Sequence, residues 1–246
     1  MNNKTKGKLH RSRLQALLAG AALFAGLGLV ATSANASIVG TVGGVPTGAD
    51  HYETFDSIAS GSHSGSYTTP SGIVVTFAGE GSAVNGAESG RYAAPFLSGD
   101  NGLNFGGQPD GADATTYLTS GAAGSSVTLA LVGPTRYMGL LWGSVDSYNT
   151  LTFYNGSTLV GQFTGADVTS AANGDQGENG TYYVNINLSD SFTSVVATSS
   201  SYAFEFDNVA FSASPLSVPE PGTVGIFLLG LLLLGSAYRL KGRRLS

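Results

Sequence analysis

The chain has no cysteine among its 246 residues. That excludes a disulfide framework, a thiolate metal site and a cysteine nucleophile. Charge is scarce as well, at 11% of residues, against about 25% in ordinary globular chains. Histidine is nearly absent. His10 lies in the basic leader described below, leaving His51 and His63 for the rest of the chain. His63 stands in Gly61-Ser62-His63-Ser64-Gly65, which puts histidine where a nucleophile elbow needs serine. Two isolated histidines are a poor basis for a catalytic triad or a zinc site.

Lysine is missing from the whole middle of the chain. Five of the 11 basic residues fall within the first 13 positions and four more follow Tyr238, leaving only Arg91 and Arg136 between. All 16 acidic residues lie from Asp50 to Glu220. The body of the protein is therefore strongly acidic. Such a surface repels phosphate backbones, which argues against nucleic acid as a partner, and it attracts divalent cations.

What is abundant is glycine, at 36 residues, together with Ser, Thr, Val and aromatics. This composition disfavours helix and suits strands. Between Ser37 and Ser214, short β-branched and aromatic runs alternate with Gly, Asn, Asp and Ser. Ile73–Phe77, Val127–Val132, Tyr137–Trp142 and Tyr182–Leu188 read as strands. Leu151–Tyr154 and Thr158–Phe163 flank Asn155-Gly156-Ser157, a strong hairpin signal. The expected fold of residues 37–214 is all-β, a jelly-roll-like antiparallel β-sandwich.

The two ends carry addresses. Residues 1–36 read as a signal peptide: Lys4, Lys6, Lys8, Arg11 and Arg13 precede the apolar run Leu14–Ala31. Ala34-Asn35-Ala36 then offers small residues to a signal peptidase, with cleavage expected after Ala36. The run is longer than a usual signal core, so an uncleaved anchor is the alternative. At the other end, residues 215–246 combine Val218-Pro219-Glu220-Pro221, an apolar stretch over about 223–240 and the basic tail 239–246. The stretch is just long enough for one transmembrane helix, for which about 20 residues are needed. The positive-inside bias keeps Arg239, Lys241, Arg243 and Arg244 in the cytoplasm. Residues 37–217 then lie on the far side, the orientation that the signal peptide also demands.

This three-part tail resembles the PEP-CTERM sorting signal of Gram-negative bacteria, with Val218, Pro219, Glu220, Pro221 and Thr223 at the motif positions. The resemblance implies that an exosortase reads the motif, cuts nearby and removes the helix. It also implies an inner-membrane precursor delivered by the secretion machinery, then a place at the cell surface or in the extracellular matrix. Further upstream, Gly139-Leu140-Leu141-Trp142-Gly143-Ser144, Asp146, Asn149 and Phe206-Asp207-Asn208-Val209 resemble the extracellular β-sandwich of many PEP-CTERM proteins. That likeness implies an architecture shared with lectins and carbohydrate modules.

Three sets of residues are candidates for chemistry. Phe204 and Phe206 share one strand face, and Val209 and Phe211 would share the opposite one if the alternation ran unbroken. Both pairs suit a core, so a β-bulge is expected at Asp207-Asn208. Asp207 and Asn208, joined by Asp56 from an early strand, would then form an oxygen-rich set suited to structural calcium; the alternative is that they cap turn amides. Tyr148 and Tyr154 are the candidates for stacking on sugar rings, or else ordinary surface tyrosines, while Trp142 alternates with core residues. Asn173–Gly180 is an acidic loop without the EF-hand spacing, read as a solvated turn.

The expected function is a noncatalytic, exosortase-sorted surface protein associated with exopolysaccharide or biofilm, with no resident cofactor beyond calcium. An extracellular glycan hydrolase remains open, since two facing carboxylates suffice for that chemistry. So does a purely structural or adhesive coat protein.

Overall fold

The computed structural model describes residues 36–98 and 108–217. The expected signal peptide up to Ala34, and the expected motif over 218–223, apolar helix and basic tail, lie outside those residues; Ala36 is within them. Among the described residues no helix is long and apolar enough to cross a membrane.

The body is all-β, and every strand pair is antiparallel. The strands in chain order are β1 (Ile38–Val42), β2 (His51–Glu53), β3 (Gly65–Thr68), β4 (Val74–Ala78) and β5 (Ser82–Val84). Next come β6 (Phe96–Leu97), β7 (Gly111–Ala112), β8 (Tyr117–Thr119) and β9 (Ser126–Gly143). The last four are β10 (Asn149–Asn155), β11 (Thr158–Thr164), β12 (Tyr182–Ser199) and β13 (Glu205–Ser212). The expected hairpin is β10–β11, closed by Gly156 at φ +59° between the paired Asn155 and Thr158.

Two strands organise the sandwich. The sequence suggests separate strands over 127–132 and 137–142, on either side of Gly133-Pro134. Instead β9 runs through it for 18 residues, as does its partner β12. The first half of β9 pairs with β4 and with the end of β12. The second half pairs with β13 and with the start of β12. The two strands thus pass from one layer of the sandwich to the other, as strands do at sandwich corners.

Their side chains record the turn. Val127 and Leu129 face the core in the first half of β9, Met138, Leu140 and Trp142 in the second. Odd positions give way to even ones. In β12 the change runs from Val184, Ile186 and Leu188 to Val195 and Ala197, across register breaks around Phe192. An irregularity in the ladder lets both halves bury their apolar sets on the same interior.

That interior is aromatic. Trp142 is fully buried and stacks on Phe204, with ring centroids 4.4 Å apart and 21° between planes. Phe204, Phe206, Phe55 and Phe163 extend the cluster. The outer face of the second layer is covered too. Tyr137, Leu141, Tyr183 and Ala210 pack there with Leu97. Asn185 threads this face, accepting from the Tyr137 hydroxyl at 2.6 Å and donating to the carbonyls of Gly43 and Gly44. A sheet covered on both sides explains why every residue of β13 is buried.

Both ends of the body leave from one strand. The Ser37 amide donates to Ser189 Oγ at 3.0 Å, and the Ser189 amide donates to the Ser37 carbonyl. Asn187 holds Leu216 by two bonds of 2.9 Å, one to its carbonyl and one from its amide. Asn187 and Ser189 are two apart on β12 and so share a face. Each bond of this kind contributes about 1 kcal/mol. Replacing Asn187 by Ala is expected to cost up to about 2 kcal/mol and to speed proteolysis at residues 214–217, read by limited digestion and mass spectrometry.

Candidate functional site

The break in β13 is where the alternation of phenylalanines places it. Asp207 pairs with Leu141 and Ala210 with Gly139, so three steps on one strand match two on the other. Asn208 takes φ +51° at the extra residue. Phe206 and Val209 consequently both reach the aromatic core. A bulge of this kind re-aims the side chains beside it.

Asp207 is fully buried. Burial is the main cause that pushes its carboxyl well above the usual carboxylate range, and the neighbouring Asp113 carboxyl adds to the shift. The amide of Asn208 opposes it. No hydrogen bond of good geometry reaches either Asp207 oxygen. Asp56 acts on Asp207 only as a weaker negative charge. Its own oxygens accept from the Thr116 amide at 3.1 Å and the Thr54 hydroxyl at 2.9 Å, a turn-capping arrangement. The structure therefore brings Asp207 beside Asp113, a residue with no distinguishing sequence pattern. Among the described residues no group of three His, Asp or Glu side chains converges as a metal-ligand set.

The residue two before Asp207 opens a second constellation. Glu205 begins β13 and points away from Phe204 and Phe206, by the same alternation. It lines a cleft of about 230 Å³ with Asp146, Tyr148, Arg91, Tyr92 and Tyr202. Asn173, Gly174 and Gln176 form another wall, so the acidic loop read as a solvated turn borders the cleft. Glu205 is 2% exposed. Its Oε1 accepts from the Ala93 amide at 2.9 Å, and Oε2 has no partner. Burial pushes its carboxyl up to about 8, opposed by the Ala93 amide, with Asp146 adding to the rise. Glu205 is therefore largely protonated at neutral pH and can donate a hydrogen bond.

Asp146 is also raised by burial, and the Tyr148 hydroxyl lowers it in part. Tyr148 is pushed up to about 12, first by burial and then by Asp146. Its hydroxyl donates to the Tyr202 carbonyl at 3.2 Å. Arg91 lies 3.2 Å from Glu88 and 5.9 Å from the centre of the Tyr202 ring. Ser144, at φ +47°, lines the cleft with a buried hydroxyl that has no partner. The cleft thus offers aromatic rings, a cation, a neutral acid, a second carboxyl and amides within one polar space. That is the donor and acceptor mixture that sugar hydroxyls match.

Of the two tyrosines singled out by sequence, Tyr148 lines this cleft and Tyr154 does not. Tyr154 is half-buried near the tip of the β10–β11 hairpin. Glu205, Arg91 and Tyr202 were not legible as site residues. The one available signal was an acid alternating with phenylalanines in Phe204-Glu205-Phe206. Trp142 is a core residue, as its alternation predicts.

Comparison with known proteins adds one finding, at the C-terminus, beyond the clamp that Asn187 places on Leu216. Residues 217–244 match the PEP-CTERM protein-sorting motif. The chain carries that sorting signal. The matched segment begins one residue after Leu216. It indicates an exported protein, anchored to the membrane before processing and recognised by exosortase. No curated protein and no solved structure matches the chain.

Proposed function

We propose that this is a noncatalytic surface or matrix protein of a Gram-negative bacterium that holds an extracellular polysaccharide in the Glu205–Tyr148 cleft of a jelly-roll-like sandwich. The supporting observation is the cleft: three tyrosines, an arginine and two carboxyl groups face one polar space, on a protein whose tail marks it for export. The exits support the topology. Ser37 and Leu216 both bond to β12, at Ser189 and Asn187. A precursor held by a signal segment and a C-terminal helix would need both tethers on the same bilayer.

Co-sedimentation with the host's own exopolysaccharide tests the reading. Wild-type protein should bind saturably. Tyr148→Ala removes a ring and Glu205→Gln keeps the shape while altering the donor. Loss of an aromatic contact of about 0.5–1.5 kcal/mol weakens affinity roughly 2–13-fold. Absence of binding to any sugar polymer would leave the structural or adhesive coat as the better reading.

One observation favours a hydrolase instead: Glu205 and Asp146 are two carboxyl groups in one cleft, and Glu205 carries the proton a general acid needs. Release of reducing ends from the polymer, lost in both Glu205→Gln and Asp146→Asn, would establish it.

A further inference from the structure

We propose that Asp113 and Asp207 together hold a divalent cation, calcium by the chemistry of the donors, between the β13 bulge and the β7–β8 connection. Asp207 points away from the aromatic core, on a strand segment fixed by Phe206 and Val209. It is fully buried, and no hydrogen bond of good geometry reaches either of its oxygens, although the Asp113 carboxyl and the Asn208 amide both act on it. The Asp113 carboxyl is within hydrogen-bonding reach and is 2% exposed.

Asp113 is braced from one side. Its Oδ1 accepts from Gln108 Nε2 at 3.0 Å, from the Thr115 amide at 2.9 Å and from the Thr115 hydroxyl at 2.6 Å. Its Oδ2 has no partner. Three carboxylate oxygens therefore stand without a donor in a buried space, two acids side by side. Buried polar groups are almost always satisfied, so each of these needs a reason.

A shared proton would satisfy one contact between the two acids and neutralise one charge. A divalent cation would neutralise both and occupy all three oxygens. No lysine exists in the body of the chain. Arg91 is engaged with Glu88, and Arg136 projects from β9 as an exposed residue. Asp56 adds negative charge nearby. An all-oxygen donor set without cysteine suits a hard cation.

Two carboxylates are fewer than a tight site uses, and no third His, Asp or Glu joins them among the described residues. Carbonyl and water oxygens must complete the shell. The affinity should then sit at the weak end known for extracellular modules, about 10⁻⁴–10⁻³ M. An exported protein meets calcium in that range.

The test uses the full processed protein recovered from its host, stripped with chelator and passed into buffer. Equilibrium dialysis with ⁴⁵Ca should find one ion per chain. Calcium at about 10 mM should raise the melting midpoint by about 3–10 °C, with magnesium doing less. Asp207→Asn and Asp113→Asn, which remove the like-charge contact without changing shape, should each abolish both responses. Glu205→Gln should keep them. No bound ion and an unchanged midpoint in wild-type protein would overturn the proposal, leaving the shared proton. A response lost in Glu205→Gln but kept in both aspartate variants would also overturn it, by placing the ion in the cleft. Should an aspartate variant fail to fold, dialysis on wild-type protein still decides whether an ion binds, and the Glu205→Gln variant whether the cleft holds it.

Discussion

Replacing Trp142 by Ala should destabilise the protein by about 3–5 kcal/mol, the usual cost of truncating a fully buried large aromatic. The effect belongs at the upper end for three reasons. Trp142 is fully buried and stacks on Phe204. It sits on β9 where that strand pairs with both β12 and β13, opposite Tyr182 and Phe206. And the rings against it come from separate parts of the chain, Phe163 on β11 and Phe204 just before β13, which limits how far they can close into the space. Trp142→Phe should cost much less, because it keeps a ring in the stack. Both variants remove the only tryptophan, so the measurement is urea unfolding followed by circular dichroism. A loss below about 1 kcal/mol for the alanine variant would mean that this core is not packed as described.

The second large effect concerns Gly139, three residues earlier on the same strand. A Cβ there would lie 2.3 Å from the Tyr137 hydroxyl and 2.7 Å from the Tyr183 hydroxyl. Both rings are fully buried on the outer face of the second layer, and the Tyr137 hydroxyl is committed to Asn185. Moving the rings would break that bond and disturb the hold of Asn185 on Gly43 and Gly44. Gly139→Ala is therefore expected to cost about 1–3 kcal/mol as overpacking, and more if the Asn185 network opens. Hydrogen exchange separates the two cases: an opened network would expose the amide of Gly43, which normally donates to the Tyr183 carbonyl. Pairing Gly139→Ala with Tyr137→Phe should recover part of the loss, since the closest atom is then gone. No recovery would point to the Tyr183 ring, whose hydroxyl lies 2.7 Å from the added Cβ, or to the lost Tyr137–Asn185 bond.

These two sites also show what a sequence can carry. Alternation is local, so it survives reading one strand at a time. The hairpin at Asn155-Gly156 and the break at Asp207-Asn208 both follow from it, and both occur where the pattern places them. The merged strands β9 and β12 do not follow from it. Pro134 reads as a stop because it lacks an amide, yet at a ladder irregularity that amide is not required. Nor could alternation reveal that the second layer is covered on both faces, since the cover comes from Leu97, Val45 and Leu216, far apart in the chain.

The candidate sites divide along the same line. The bulge at Asp207-Asn208 was legible because the anomaly is confined to eight residues. Its neighbour Asp113 was not, for the two meet only through the sheet. The cleft draws on Arg91, Asp146, Tyr148, Asn173, Tyr202 and Glu205, which belong to separate segments and share no spacing. By contrast the sorting tail is contiguous, and its meaning lies in the order of motif, apolar stretch and basic end. It could be read whole.

The central claim is that the folded body is an exported product delivered by its C-terminal signal. Intact mass of the protein recovered from the surface or matrix of exosortase-competent cells tests it most directly. The account predicts a species that begins at Ser37 and ends close to Pro219-Glu220-Pro221, and that gives way to a longer, membrane-retained form when those three residues are changed. A full-length species found soluble in the cytoplasm, with both ends intact, would contradict it.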